Sequence, residues 1–177
     1  MIEHDEYGIY TNDELETDGA GLRTFKWLVV VAMIGAAIAL IGSAVTADAS
    51  PARVDVIKRV AGLHEVKNRK TIQRMIGVNP SKTPWCGYAI AYAVRKAGGK
   101  PPKGYPSARA WKHFGRAIPI QNARKGDVIV LRTKRGYHVT IYNGRTSKGR
   151  FSGCGGNQSN RFQCSNYRVS SIRAVRR

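Results

Sequence analysis

The chain has 177 residues, room for one globular domain and no more once an apolar stretch near the N-terminus is set aside. Its net charge of +19 is unevenly laid out: seven of the 11 acidic residues lie between Glu3 and Asp18, while 28 of the 30 Lys and Arg follow residue 47. The acidic tail is therefore near −7 and the part after residue 47, with 28 basic against 4 acidic residues, near +24. A field of that size favours an anionic polymer, whether nucleic acid, a lipid surface or the carboxylate- and phosphate-bearing polymers of a bacterial envelope. The three cysteines offer no close ligand pair such as C-x-x-C, so neither a metal nor another cofactor is expected.

Residues 1–26 are acidic, contain glycine and lack apolar periodicity, which predicts a disordered tail. Residues 27–47 contain no charge, and the run LVVVAMIGAAIALIGSAV is about the 20 residues a helix needs to cross a bilayer. The stretch reads as a transmembrane anchor or signal-anchor. Arg23 and Lys26 precede it, which favours a cytoplasmic N-terminus and an exported remainder. Small residues at Val45, Thr46, Ala47 and Ala49 also offer a signal-peptidase site. The chain is thus expected at a membrane, bacterial inner or phage virion, with residues 51–177 forming the domain on the periplasmic or extracytoplasmic side.

Within that domain Val54, Ile57, Val60 and Ala61 recur at helical spacing and predict a helix ending at Gly62; a second short helix is predicted over 70–76, closed by Gly77. Asn79-Pro80 and Thr83-Pro84 force extended or turn geometry before Trp85 and Cys86. Ala89, Ile90, Ala93, Val94 and Ala97 then form one apolar helix face ending at Gly98-Gly99, so Cys86 falls at a helix N-terminus. Ser107 is a candidate cap for a short helix through Phe114. Beyond it, 127–132, 137–143, 150–155, 162–169 and 171–175 read as strands separated by glycine-containing turns. Helices followed by strands predict an α+β fold with an antiparallel sheet.

A catalytic thiol acts as thiolate and needs positive potential; a helix N-terminus supplies about half a charge and a nearby histidine the rest. Cys86 is the candidate nucleophile. His138 is the candidate base, on a strand where alternation groups it with Thr140 and Tyr142 and leaves Val139 and Ile141 on the other face. A third polar group should orient the imidazole, and Asn157 is the candidate, although after two glycines it also suits a left-handed turn. Trp85 and Trp111 are candidates either for packing or for lining a substrate groove. Asp127 reads as a turn organiser, and His64, Glu65 and His113 as surface or structural groups. Cys154 and Cys164 lie symmetrically about Ser159; in a hairpin they would face each other and could bond in an oxidising compartment, leaving Cys86 the free thiol.

The blocks Thr83-Pro84-Trp85-Cys86-Gly87-Tyr88, Ala108-Arg109-Ala110-Trp111, Gly126-Asp127-Val128-Ile129-Val130, His138-Val139 and Gly155-Gly156-Asn157-Gln158-Ser159, after Gly62-Leu63-His64-Glu65, stand in an order that resembles a phage and bacterial family related to the CHAP and NlpC-type amidohydrolases. The resemblance spans roughly residues 52–177. It implies a papain-like fold, Cys86 as nucleophile, His138 as base, and cleavage of amide bonds in peptidoglycan by an endopeptidase or an N-acetylmuramoyl-L-alanine amidase. Asn157 matches a position where CHAP-type enzymes carry Asn, but the Glu often found two residues earlier is Gly155 here. A second expectation, from charge alone, is a membrane-anchored, inactive basic protein that binds DNA or wall polymer.

Overall fold

The computed structural model describes residues 49–177, which lie in one compact unit. The predicted tail and the predicted membrane segment at 27–47 lie outside the described residues. No helix among the described residues is long and apolar enough to cross a membrane.

Three helices open the domain. Helix α1 spans Ala49–Arg59, α2 Arg69–Ile76 and α3 Cys86–Lys96. The first stops short of the expected Gly62, because Val60 and Ala61 donate back only three residues and Gly62 turns away with φ 91°, donating its N–H to Phe162. In α2 the buried pair Ile72 and Ile76, four residues apart, face the core, and Gly77 closes the helix in the left-handed region with its N–H on the Gln73 carbonyl. Helix α3 buries Ala89, Ile90, Ala93 and Val94, the predicted stripe. Each large apolar side chain taken fully from water here stabilises the fold by about 1.5–3 kcal/mol. The expected short helix is a 3-10 helix, Ala108–His113, and Ser107 makes no side-chain capping bond to it.

Five strands follow: β1 Val128–Thr133, β2 Gly136–Ser147, β3 Arg150–Gln158, β4 Arg161–Arg168 and β5 Ile172–Arg176. They form one antiparallel sheet in the order β4-β3-β2-β1-β5. Strand β2 outruns its predicted end because it pairs with β3 as a hairpin beyond the apolar alternation, down to Ser147 opposite Arg150, and β3 outruns its own because it continues along β4 to Gln158 opposite Arg161. The helices cover one face, where Val128, Val130, Val139 and Ile141 join the main core with α1 and α3; Ile129, Leu131, Tyr142, Phe151 and Val175 form a smaller cluster on the other. The fold is thus helices on an antiparallel sheet, with the start of α3 set against β2 and β3.

Candidate active site

The first turn of α3 is held by glycine at its second position. A Cβ on Gly87 would lie 2.3 Å from the Tyr105 carbonyl oxygen, so only glycine admits the 105–106 loop against the helix start. This leaves the Cys86 sulfur facing the backbone N–H groups of Cys86, Gly87 and Val139, which all favour the thiolate. Burial acts more strongly in the opposite sense and raises the thiol pKa.

The Val139 N–H is free to face sulfur because of the sheet register. Tyr142 donates to the Asp127 carbonyl, so Tyr142, Thr140 and His138 direct their backbone groups toward β1, while Ile141 and Val139 direct theirs toward β3. Ile141 still pairs with Cys154, but β3 departs from β2 beyond that point. The N-terminus of α3 meets β2 at this split.

His138 lies on the opposite strand face, beside Tyr167, with ring centroids 5.8 Å apart. Its Nε2 is 3.4 Å from Gln158 Oε1 and 3.3 Å from the Tyr167 hydroxyl oxygen. The Gln158 amide is pinned: its nitrogen donates to the carbonyls of Gly153 (3.1 Å) and Gln163 (2.7 Å), and its oxygen accepts the Thr140 hydroxyl (3.0 Å). An acceptor oxygen held toward Nε2 assigns the neutral-ring proton to Nε2 and leaves Nδ1 with its lone pair. Burial pushes the imidazole pKa below its ordinary value, and the Gln158 contact opposes this more weakly. Burial also raises the Tyr167 phenol pKa.

Cys86, His138, Asn157 and Gln158 line one cleft of about 520 Å³ with Pro84, Arg135, Tyr137, Ser165 and Tyr167. Asn157 is on its wall, but the polar partner of the imidazole is the next residue. The strand bulges between Gly155 and Gln158, and Asn157 takes φ 56° there, so Gln158 is turned toward His138. Gln158 was present in the quoted block; period-two alternation could not select it across a bulge. Gly156 makes the approach possible, since a Cβ there would lie 2.2 Å from Trp85 and 2.4 Å from Ala89.

The expectation that Trp85 and Trp111 line a groove is corrected. Both indoles are 0% exposed: Trp85 packs edge-on against Phe162 and donates to Glu65, and Trp111 donates to the Tyr105 carbonyl. Flat apolar rings satisfied at their N–H fill the interior below the cleft. Asp127 closes its turn by accepting the Arg124 N–H at 2.8 Å and binds Arg177 at 2.8 Å. Cys154 and Cys164 oppose each other in β3 and β4 and form a disulfide, and Cys86 is the free cysteine of the described residues. Among those residues no group of three His, Cys, Asp or Glu could hold a metal ion.

Tyr137 and Tyr167 had no signal of their own in the sequence, being aromatic residues in strands. Around Tyr137 stand Lys112, whose Nζ donates to the phenol oxygen at 3.3 Å, Arg132 at 5.0 Å and Arg109 at 5.9 Å from the ring centroid. The Lys112 hydrogen bond, followed by the charges of Lys112, Arg109 and Arg132, holds this phenol below its ordinary pKa.

Two solved structures are among those similar to the chain. The P60 domain from antigen MAP1204 of M. avium subspecies paratuberculosis is 24% identical, with a TM-score of 0.40, over 52% of this chain and 63% of that one. The Resuscitation Promoting Factor Interacting protein RipA, in a mutated form, is 22% identical, with a TM-score of 0.48, over 72% of this chain and 61% of that one. The chain spans about three fifths of the length of each. No family model matches the sequence, and no curated protein matches it.

Proposed function

We propose that the chain is a cysteine hydrolase that cleaves amide bonds of peptidoglycan, as an endopeptidase or an amidase. The observation that carries the reading is a free, buried thiol at the N-terminus of α3 sharing a cleft with an imidazole whose Nε2 faces a pinned amide oxygen. The ordered blocks resembling CHAP and NlpC-type enzymes support the substrate class.

In this mechanism the pair rests neutral, since burial disfavours both charges. The Cys86 thiol passes its proton to Nδ1 of His138 as sulfur attacks the amide carbonyl carbon. N–H groups at the start of α3 favour the negative charge that develops. The imidazolium then protonates the leaving amine, the C–N bond breaks, and a thioester remains. Water, deprotonated by His138, adds to the thioester and releases the carboxylic acid and the thiol. Gln158 keeps the proton on Nε2 throughout, and Asn157 contributes to the cleft wall.

The finer setting of this reading is a phage lysis or virion-associated enzyme held at a membrane by residues 27–47, with the domain outside the cytoplasm. The hydrolase reading is tested by incubating purified peptidoglycan with the full chain and with Cys86→Ala. The native chain should release new amino and carboxyl termini, which mass spectrometry assigns to a bond, and Cys86→Ala should release none. Undiminished release by Cys86→Ala would overturn the assignment. No products, together with salt-sensitive binding to wall polymer or DNA, would instead favour an inactive binding protein.

A further inference from the structure

We propose that Arg109, Lys112 and Arg132, gathered around the ring of Tyr137, a residue of the cleft wall, form a subsite for a free carboxylate on the peptide substrate. The inference rests on the hydrolase reading for its substrate and on independent geometry for its site. Arg132 stands opposite Tyr137 in the β1–β2 register, while Arg109 and Lys112 come from the 3-10 helix packed beside β2. Three cations from two elements thus converge on one ring.

The charges of such a cluster repel one another, and a bound anion relieves that repulsion. Among the described residues no side chain supplies one, because each of their three Asp and Glu carboxylates is engaged elsewhere. Asp55 pairs with Lys125, Glu65 accepts the Trp85 N–H, and Asp127 binds Arg177. The ring quadrupole spreads the positive charge without neutralising it. Arg109 and Arg132 are exposed, and Lys112 and Tyr137 half-buried, so the site is open to a ligand.

Position selects the ligand class. Tyr137 lines the same cleft as Cys86 and lies two residues before Val139 on the same strand face, about 7 Å along a strand rising roughly 3.4 Å per residue. Val139 is the residue whose N–H faces the Cys86 sulfur. A group bound at Tyr137 therefore belongs to the residue next to the scissile bond or the one beyond it. On a peptide that group is a carboxylate, whose planar oxygens match a guanidinium fork.

The test uses the full chain carrying Cys86→Ala and two probes: a synthetic wall-stem peptide with its carboxylates free, and the same peptide with each carboxylate amidated. The acid form should bind at least about tenfold more tightly, a preference that shrinks with added salt and loses roughly a factor of ten with Arg109→Met, Lys112→Met or Arg132→Met. Amide binding should stay unchanged in these variants, which also reports an intact fold, and Lys148→Met in the distant β2–β3 turn should alter neither. Equal affinity for acid and amide, or a preference that survives all three substitutions, overturns the subsite. Hydrolysis by the native thiol is scored in parallel. Selective binding with no cleavage of either the peptide or purified peptidoglycan sinks the hydrolase reading and leaves the subsite standing, whereas equal cleavage of both peptides does the reverse.

Discussion

Protonating His138 works against its burial, and under the proposed mechanism this sets the acid side of the reaction. The imidazole must be neutral to take the thiol proton, and its pKa in the fold lies below the ordinary 6.5. Activity is therefore retained as pH falls through 6.5 and is lost only below it; a kcat/KM profile with an acid limb centred above 6.5 would contradict the assignment. Gln158 raises the His138 pKa, so Gln158→Ala should move the acid limb to still lower pH. It should also reduce kcat on the order of a hundredfold, because Nε2 loses the acceptor that holds the tautomer. Asn157→Ala, which removes no contact to the imidazole, should leave the limb in place. A shift with Asn157→Ala and none with Gln158→Ala would return the orienting role to Asn157.

At the scale of elements, the site depends on how closely β3 approaches α3. Gly156 permits that approach, and Gly156→Ala would drive a methyl into Trp85 and the Ala89 side chain. Separating the two elements should cost about 1–3 kcal/mol, the range for overpacking a filled core, and should lower activity by withdrawing Gln158 from His138. Thermal unfolding and peptidoglycan turnover measured on the same variant check both effects; an unchanged melting temperature would contradict the packing. Helix α3 was legible because its apolar residues recur at helical spacing up to Gly98-Gly99, and α2 because Gly77 closes it. The bulge before Gln158 was not legible. It arises from pairing with β4, and no local pattern states how many residues β3 spends opposite Gln163 and Arg161. Asn157 is the candidate in the sequence because it matches the position where the resembling CHAP-type enzymes carry Asn.

Across the whole domain, the chain end is tied to the start of the sheet. Asp127 is wholly buried and bonds both the Arg177 guanidinium and the Arg124 N–H, with buried Arg53 close enough to feel its charge. Asp127→Ala would leave these cations uncompensated and should destabilise the domain by about 3 kcal/mol, read as a lower urea midpoint at unchanged slope. A loss under about 0.5 kcal/mol would show the tie to be a surface pair. The disulfide acts at the same scale, joining β3 to β4 and so holding together the strands that carry Gln158 and Tyr167. The excess of cations is a property of the chain as a whole, but its concentration around Tyr137 requires the 3-10 helix to pack on β2.

By itself the sequence determined the α+β order of elements, the helix start at Cys86, the strand that bears His138 and, given a hairpin about Ser159, the candidate pairing of Cys154 with Cys164. All four follow from periodicity, glycine and proline positions, or symmetric spacing, which act over short stretches of chain. Tertiary structure alone decided that Trp85 and Trp111 are interior, that β2 and β3 part beside Val139, and that Gln158 meets the imidazole. These depend on which residues a distant segment covers, turns or leaves unpaired, and that is set by packing between elements rather than within them.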